Sequence, residues 1–146
     1  MDRFFMGKAV ELAKQAAALG EVPVGAVIVA HGEVIASGCN RRESDSSALA
    51  HAEIIAIDGA CRALGDWRLS ECTMYVTLEP CPMCAGAIIN ARIKRVVFGA
   101  FDEKGGAAGS VINLFHCPFG HSPALTPGVM EKECALLLKD FFEKIR

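Results

Sequence analysis

The segment from Cys72 to Ala100 constrains the fold most. "CTMYVTL" has strand character, "CPMCAGAIINAR" has helical spacing with Pro82 in its first turn, and "RVVFGA" reads as a strand again. Two such strands joined through a helix lie parallel, and the crossover is expected to be right-handed. A parallel pair needs cover on both faces, and the flanking sequence supplies it. "DRFFMGKAVELAKQAAALG" predicts a first helix, capped by Asp2 and ended at Gly20. "VGAVIVA" and "EVIASG" predict an antiparallel hairpin that turns at His31 and Gly32. "ALAHAEIIAIDGACRALG" predicts a second helix closed by Gly65. A last helix is predicted over residues 130–145, with Met130, Cys134, Leu137, Leu138, Phe141 and Ile145 in one apolar stripe. Phe142 lies off that stripe, which fits a slightly wider core face or leaves it spare for a pocket or a partner. Residues 101–126 are glycine-rich, with a short helix expected at "SVINLF" and a short strand near "ALT". A connection that long inside a compact domain is commonly functional.

The expected fold is therefore one α/β domain over residues 1–146, a five-stranded mixed sheet with helices on both faces. Just over half the residues are hydrophobic, which excludes a disordered chain. The longest apolar run, "VPVGAVIVA", is far too short to span a membrane. Seven cysteines, an odd number with no export signal at the N-terminus, point to a reducing cytoplasm and make disulfides a poor account of any pair. A net charge of −2 argues against a protein that coats nucleic acid, while leaving room for a local basic face. Arg41 with Arg42, Arg92 with Lys94 and Arg95, and Lys144 with Arg146 are the basic clusters, each accounted for simply by a solvated surface.

In open sheets of this kind ligands sit beyond the carboxyl ends of the parallel strands, where Glu79, Pro80 and Cys81 fall. Cys81 and Cys84 place two thiols on the first turn of a helix, where unpaired N–H groups and the helix dipole favour thiolate. "AHAE" offers His51 as a third ligand, with Glu53 two residues on. Three ligands leave a coordination position for water, as in catalytic zinc sites. Residues two apart on a helix diverge, so His51 and Glu53 share a site only if they lie at its first turn. Taken singly, His51 reads as a hydrogen-bonded core histidine and Glu53 as a first-turn acid; Cys81 and Cys84 alone fit a redox dithiol or half of a structural zinc clip. Together, His-x-Glu followed by Pro-Cys-x-x-Cys is the signature of the zinc nucleobase deaminases. The remaining cysteines that stand alone, Cys39, Cys61, Cys72 and Cys134, read as small buried hydrophobes, and "HCPFGH" reads as a plain loop or one that touches substrate.

With "AHAE" and "TLEPCPMCAGAI" in hand, the chain resembles the bacterial tRNA-specific adenosine deaminases, within the cytidine and deoxycytidylate deaminase superfamily. The likeness runs through "EVPVGAVIV", Asn40-Arg41, "RVVFGA" and "GGAAGSV" to "ECALLLKDFF". It implies a three-layer α/β/α cytidine-deaminase-like fold. It implies one zinc ion per subunit held by His51, Cys81 and Cys84, with zinc-activated hydroxide attacking C6 of adenine and Glu53 shuttling protons. It implies further that Asn40, Val24 and Leu78 meet the target nucleotide and that Asp102 and Lys104 meet flanking RNA. The substrate implied is the wobble adenosine of a tRNA anticodon loop, or other single-stranded nucleic acid, turned over by a cytoplasmic homodimer. The chain departs from the family at Ala48-Leu49, where Pro-Thr is common, and at Phe101, where a polar residue is usual; it closes at Arg146 without the basic tail of some relatives. Two rival readings remain: a deaminase of a free base or nucleoside such as guanine or cytidine, and a non-catalytic zinc or dithiol binding protein.

Overall fold

The structure is a computed structural model that describes residues 1–145; Arg146, grouped above with Lys144, lies outside them. Its elements run α1 (Asp2–Ala18), β1 (Gly25–Ala30), β2 (Glu33–Cys39), α2 (Ala52–Leu64), β3 (Cys72–Leu78), α3 (Pro82–Asn90), β4 (Arg95–Ala100), β5 (Ala124–Thr126) and α4 (Glu131–Lys144). The five strands form one sheet in the order β2-β1-β3-β4-β5. β1 pairs antiparallel with both β2 and β3, while β3, β4 and β5 are parallel. The hairpin turns at His31 and Gly32, both at positive φ (51° and 80°), as a two-residue turn that follows the sheet's twist requires. The expected mixed sheet stands.

Strand alternation divides the core into two layers. Ala26, Ile28, Cys72, Met74, Val76, Val96 and Phe98 point to the face covered by α2 and α3. Val27, Val29, Tyr75 and Val97 point to the other, against Phe5, Met6, Ala9 and Val10 of α1 and Cys134 of α4. β1 is buried along its whole length because helices lie on both sides of it.

Four local expectations change. Asp2 is not a cap: Met1 holds that position, and the Asp2 carboxylate instead accepts from Arg95 (2.6 and 3.0 Å) and Tyr75 (2.9 Å), tying α1 to the sheet. α2 begins at Ala52, not at Ala48, because Ser47 and Leu49 lie in a run of turns whose backbone closes on itself. "SVINLF" contributes only a single 3-10 turn at Leu114–His116. On α4 the stripe is incomplete: Cys134 is buried and Leu137 and Leu138 pack on the core, but Ile145, which caps the end of the helix, is 63% exposed. Among the basic clusters, Arg92 lies over Trp67 and donates to the Ile89 and Asn90 carbonyls, and Arg95 pairs with Asp2. Those two arginines hold the fold together.

Candidate active site

Two helix starts meet at one end of the sheet. His51 is the N-cap of α2 (φ −81°, ψ 151°) and Cys81 the N-cap of α3 (φ −76°, ψ 174°). Both have extended backbone and leave their side chains uncommitted to capping, so the ring and the thiol project beyond the helix ends. Gly38 makes the approach of α2 feasible, because a Cβ there would lie 2.6 Å from the Ala52 carbonyl oxygen. Pro82, in the first turn of α3, gives up an N–H that has no helical partner.

The result is a ligand cluster. His51 Nδ1 stands 3.6 Å from Cys81 Sγ and 3.5 Å from Cys84 Sγ, and the three ligand atoms all lie within 4.8 Å of one another. Zinc bonds of about 2.3 Å to sulfur and 2.0–2.1 Å to nitrogen, meeting at a tetrahedral angle, set S and N about 3.6 Å apart. The cluster fits the ion. It comprises three ligands among the described residues, and His51 and Cys81 also line a cavity shared with Val24, Asn40, Leu78 and Glu53. A structural clip would fill all four positions. The Cys84 thiol donates to Cys81, which with help from His51 brings Cys81 down to about 4, while the same contact and burial push Cys84 well up. His51 is raised, chiefly by its contact with Cys81. A divalent cation favours thiolate on both cysteines.

Glu53 is the second residue of α2 and is buried. It therefore lies at the first turn, the one position from which it shares a site with His51. Burial, reinforced by the nearby Cys81 thiolate, pushes its carboxyl up to about 7, where it both accepts and donates protons.

Asn40 follows β2 and is nearly buried; its Nδ2 donates to the Val22 carbonyl (3.3 Å) and its Oδ1 accepts from Arg42 N–H (3.2 Å). One amide proton and one lone pair remain for a ligand. Val24 and Leu78 supply apolar wall, and Asp102 stands at the rim. Lys104 is exposed and Phe142, 42% exposed on α4, packs edge-on against Phe141; neither lines this cavity, so the structure does not bring them to the other site residues.

Two residues that line the cavity, Arg42 and Glu79, and one outside its lining, Glu21, were missed in the sequence or not given a role. Arg42 is its one basic lining residue among the described residues. Glu21 and Glu79 are buried carboxylates, and each fastens a loop. Glu21 accepts from Glu43 N–H (3.1 Å), Ser44 N–H (2.6 Å) and Ser44 Oγ (2.6 Å), holding the turn that carries Asn40 and Arg42. Glu79 does the same for residues 102–110. An acid inside each of "EVPVGAVIV" and "TLEPC" was the available signal, since a carboxylate beside a core strand must find donors.

Fold and ligand set together define a zinc-binding deaminase domain, and the family described as the cytidine and deoxycytidylate deaminase zinc-binding region matches residues 1–100. The tRNA-specific adenosine deaminase of Bacillus subtilis (strain 168) is 51% identical over 146 residues, covering 99% of this chain and 91% of its own. That of Haemophilus influenzae is 48% identical, covering 99% and 85%. A structure solved in a study of A-to-I editing by tRNA:A34 deaminases superposes with a TM-score of 0.90 at 47% identity, over 92% of this chain and 99% of that one. A guanine deaminase from Bacillus subtilis matches less well, with a TM-score of 0.66 at 41% identity over 77% of this chain and 71% of its own. The chain belongs to the zinc-binding deaminase family, and within it to the group of the tRNA-specific adenosine deaminases.

Proposed function

We propose that this chain deaminates adenosine to inosine, by hydrolysis, at the first anticodon position of a transfer RNA, with one zinc ion per subunit held by His51, Cys81 and Cys84. The observation that carries the reading is the buried carboxylate of Glu53 beside a three-ligand cluster that borders an open cavity. Bound zinc supplies water activated as a nucleophile near neutral pH. Glu53 would accept a proton from the attacking water and deliver it to N1 of adenine, then carry the proton of the new C6 hydroxyl to the departing amino group. Water and adenosine go in; inosine and ammonia come out. Asn40 orients the nucleotide with its remaining donor and acceptor, and Val24 and Leu78 pack on the base. The base must be splayed out of its loop to enter, which favours a single-stranded substrate. Lys104 and Phe142, outside the cavity, serve flanking RNA.

Two further elements belong to the proposal. The enzyme works as a homodimer: Leu49 and Trp67, 61% and 53% exposed, border an apolar groove along α2 and α3 with Ile54, Ile57 and Ala87. Of the "AGAII" stretch of α3, Ala85, Ile88 and Ile89 are buried in the monomer's core, which leaves Ala87 to the groove. A cytoplasmic location is also part of the proposal, since that is where the proposed substrate, transfer RNA, is found; no helix among the described residues is long and apolar enough to cross a membrane.

The test is to incubate zinc-loaded protein with an anticodon stem-loop bearing adenosine at the first position and, in parallel, with free adenosine, cytidine and guanine. Inosine from the stem-loop alone is expected. Product from a free base or nucleoside alone would replace the RNA reading with the guanine-deaminase type of activity.

A further inference from the structure

Glu79 follows the last residue of β3 and stands two residues before Cys81, yet it is not a ligand of the cluster. It is 2% exposed. Its carboxylate accepts Asp102 N–H (3.0 Å) and Ser110 Oγ (2.5 Å) on one oxygen, and Ala108 N–H (3.0 Å) and Ser110 N–H (3.0 Å) on the other. An ionised carboxylate offers about four acceptor positions, so all of them are taken. The donors come from one loop, residues 102–110. Two backbone bonds reinforce the seam: Ala107 N–H to the Pro80 carbonyl (2.8 Å) and Glu79 N–H to the Ala100 carbonyl (2.9 Å). The loop closes over the carboxylate at Gly106, where a Cβ would overlap the Glu79 carboxyl group.

This loop carries Asp102 to the rim of the cavity, and Asp102 folds its own turn by accepting Lys104 and Gly105 N–H groups (3.2 and 3.0 Å). Glu79 thus joins the two sides of the site: the strand end leading into Cys81, and the loop that walls the cavity.

We propose that Glu79 is a positioning residue for the substrate, fixing the 102–110 wall at a set distance from the Cys81 helix start without touching the reacting atoms. The proposal rests on the deaminase reading above. A free 102–110 loop would bind nucleotide only after being ordered, and that cost falls on substrate affinity. The chemistry at Glu53 and the metal ligands is left in place.

Glu79→Gln is the first variant, since its amide keeps the shape but turns an N–H₂ toward backbone donors. With the stem-loop substrate, KM rises about tenfold or more, the loss expected for hydrogen bonds to a charged acceptor. Meanwhile kcat stays within about threefold, as expected when only uniform binding is lost, and zinc stays at one per subunit. Glu79→Asp restores part of the KM. Amide exchange quickens at Asp102, Ala108 and Ser110. Should Glu79→Gln fail to fold, Gly106→Ala and Ser110→Ala disturb the same seam and raise KM in the same way. In a Glu79→Ala background, Gly106→Ala has room and adds little, so the pair is non-additive. An unchanged KM with activity tracking only the folded, zinc-loaded fraction overturns the proposal, as do additive effects or unchanged exchange. A wild-type protein inactive on the stem-loop defeats the deaminase reading instead, and the exchange measurement still decides whether Glu79 holds the loop.

Discussion

Glu53 shows how one residue's role follows from where it is buried. A glutamate at a helix start is ordinarily a solvated acid helped by the dipole. Here burial raises its carboxyl to about 7 and places it in the cavity beside His51 and Cys81. Glu53→Gln keeps volume and removes the proposed proton carrier. Turnover is expected to fall at least a hundredfold, about the lower bound of general acid–base contributions, with zinc content and melting temperature nearly unchanged. Metal analysis beside a single-turnover assay reads both. Zinc lost together with turnover would make Glu53 a support of the metal cluster rather than the proton carrier. Asn40 is subtler, since half of its hydrogen-bonding capacity holds the Val22–Arg42 segment together.

At the scale of elements, the site depends on how α2 is seated. Its first turn packs on β2 at Gly38, where nothing larger fits. Gly38→Ala must push α2 outward, at about 1–3 kcal/mol as for other overpacked sites. His51 moves with it, so zinc retention against a chromophoric chelator should weaken along with thermal stability; weakened stability with unchanged zinc affinity would show that the ligand geometry tolerates the shift. The start of α1 is fixed differently. The Arg95 guanidinium holds the Asp2 carboxyl below the ordinary aspartate range, against an opposing effect of burial and with help from Tyr75. A depressed folded-state pKa contributes stability that is complete above the unfolded value, about 3.9, and is lost as pH falls through the folded one. Asp2→Asn should therefore lower stability at neutral pH and flatten its decline below pH of about 4. Chemical denaturation at several pH values measures the slope, and an unchanged slope would assign acid sensitivity to other carboxylates.

For the whole molecule, the His51–Cys81–Cys84 cluster joins two helices that are distant in sequence, so binding of the proposed zinc ion and folding are linked. Zinc bound to the folded chain alone stabilises it by about 4 kcal/mol when free zinc exceeds its dissociation constant a thousandfold. Chelation should lower the melting temperature, and readdition of zinc should restore it along with activity; a melting temperature indifferent to chelator would mean that both helix starts are held without metal. The proposed homodimer belongs to this scale as well. Sedimentation of the wild type against Trp67→Glu, in the exposed α2–α3 groove, should show the assembly weakening.

Period and motif carried much of this. The strand–helix–strand run from Cys72 to Ala100 is legible because side-chain alternation and helical spacing are local properties, and the sheet they build places Cys81 at its carboxyl edge. His-x-Glu and Cys-x-x-Cys were legible because coordination chemistry restricts residue types and spacing. The start of α2 was misjudged because "SALA" has helical propensity, while the backbone of residues 47–51 is engaged in turns. Asp2 was misread because Arg95 competes for it from far along the chain. The buried clamps at Glu21 and Glu79, the cavity position of Arg42, and the placement of Lys104 and Phe142 outside the cavity lining came only from tertiary structure. Sequence determines which groups are present and how each segment pairs with itself; which distant donors meet a buried carboxylate depends on the packing of the whole chain.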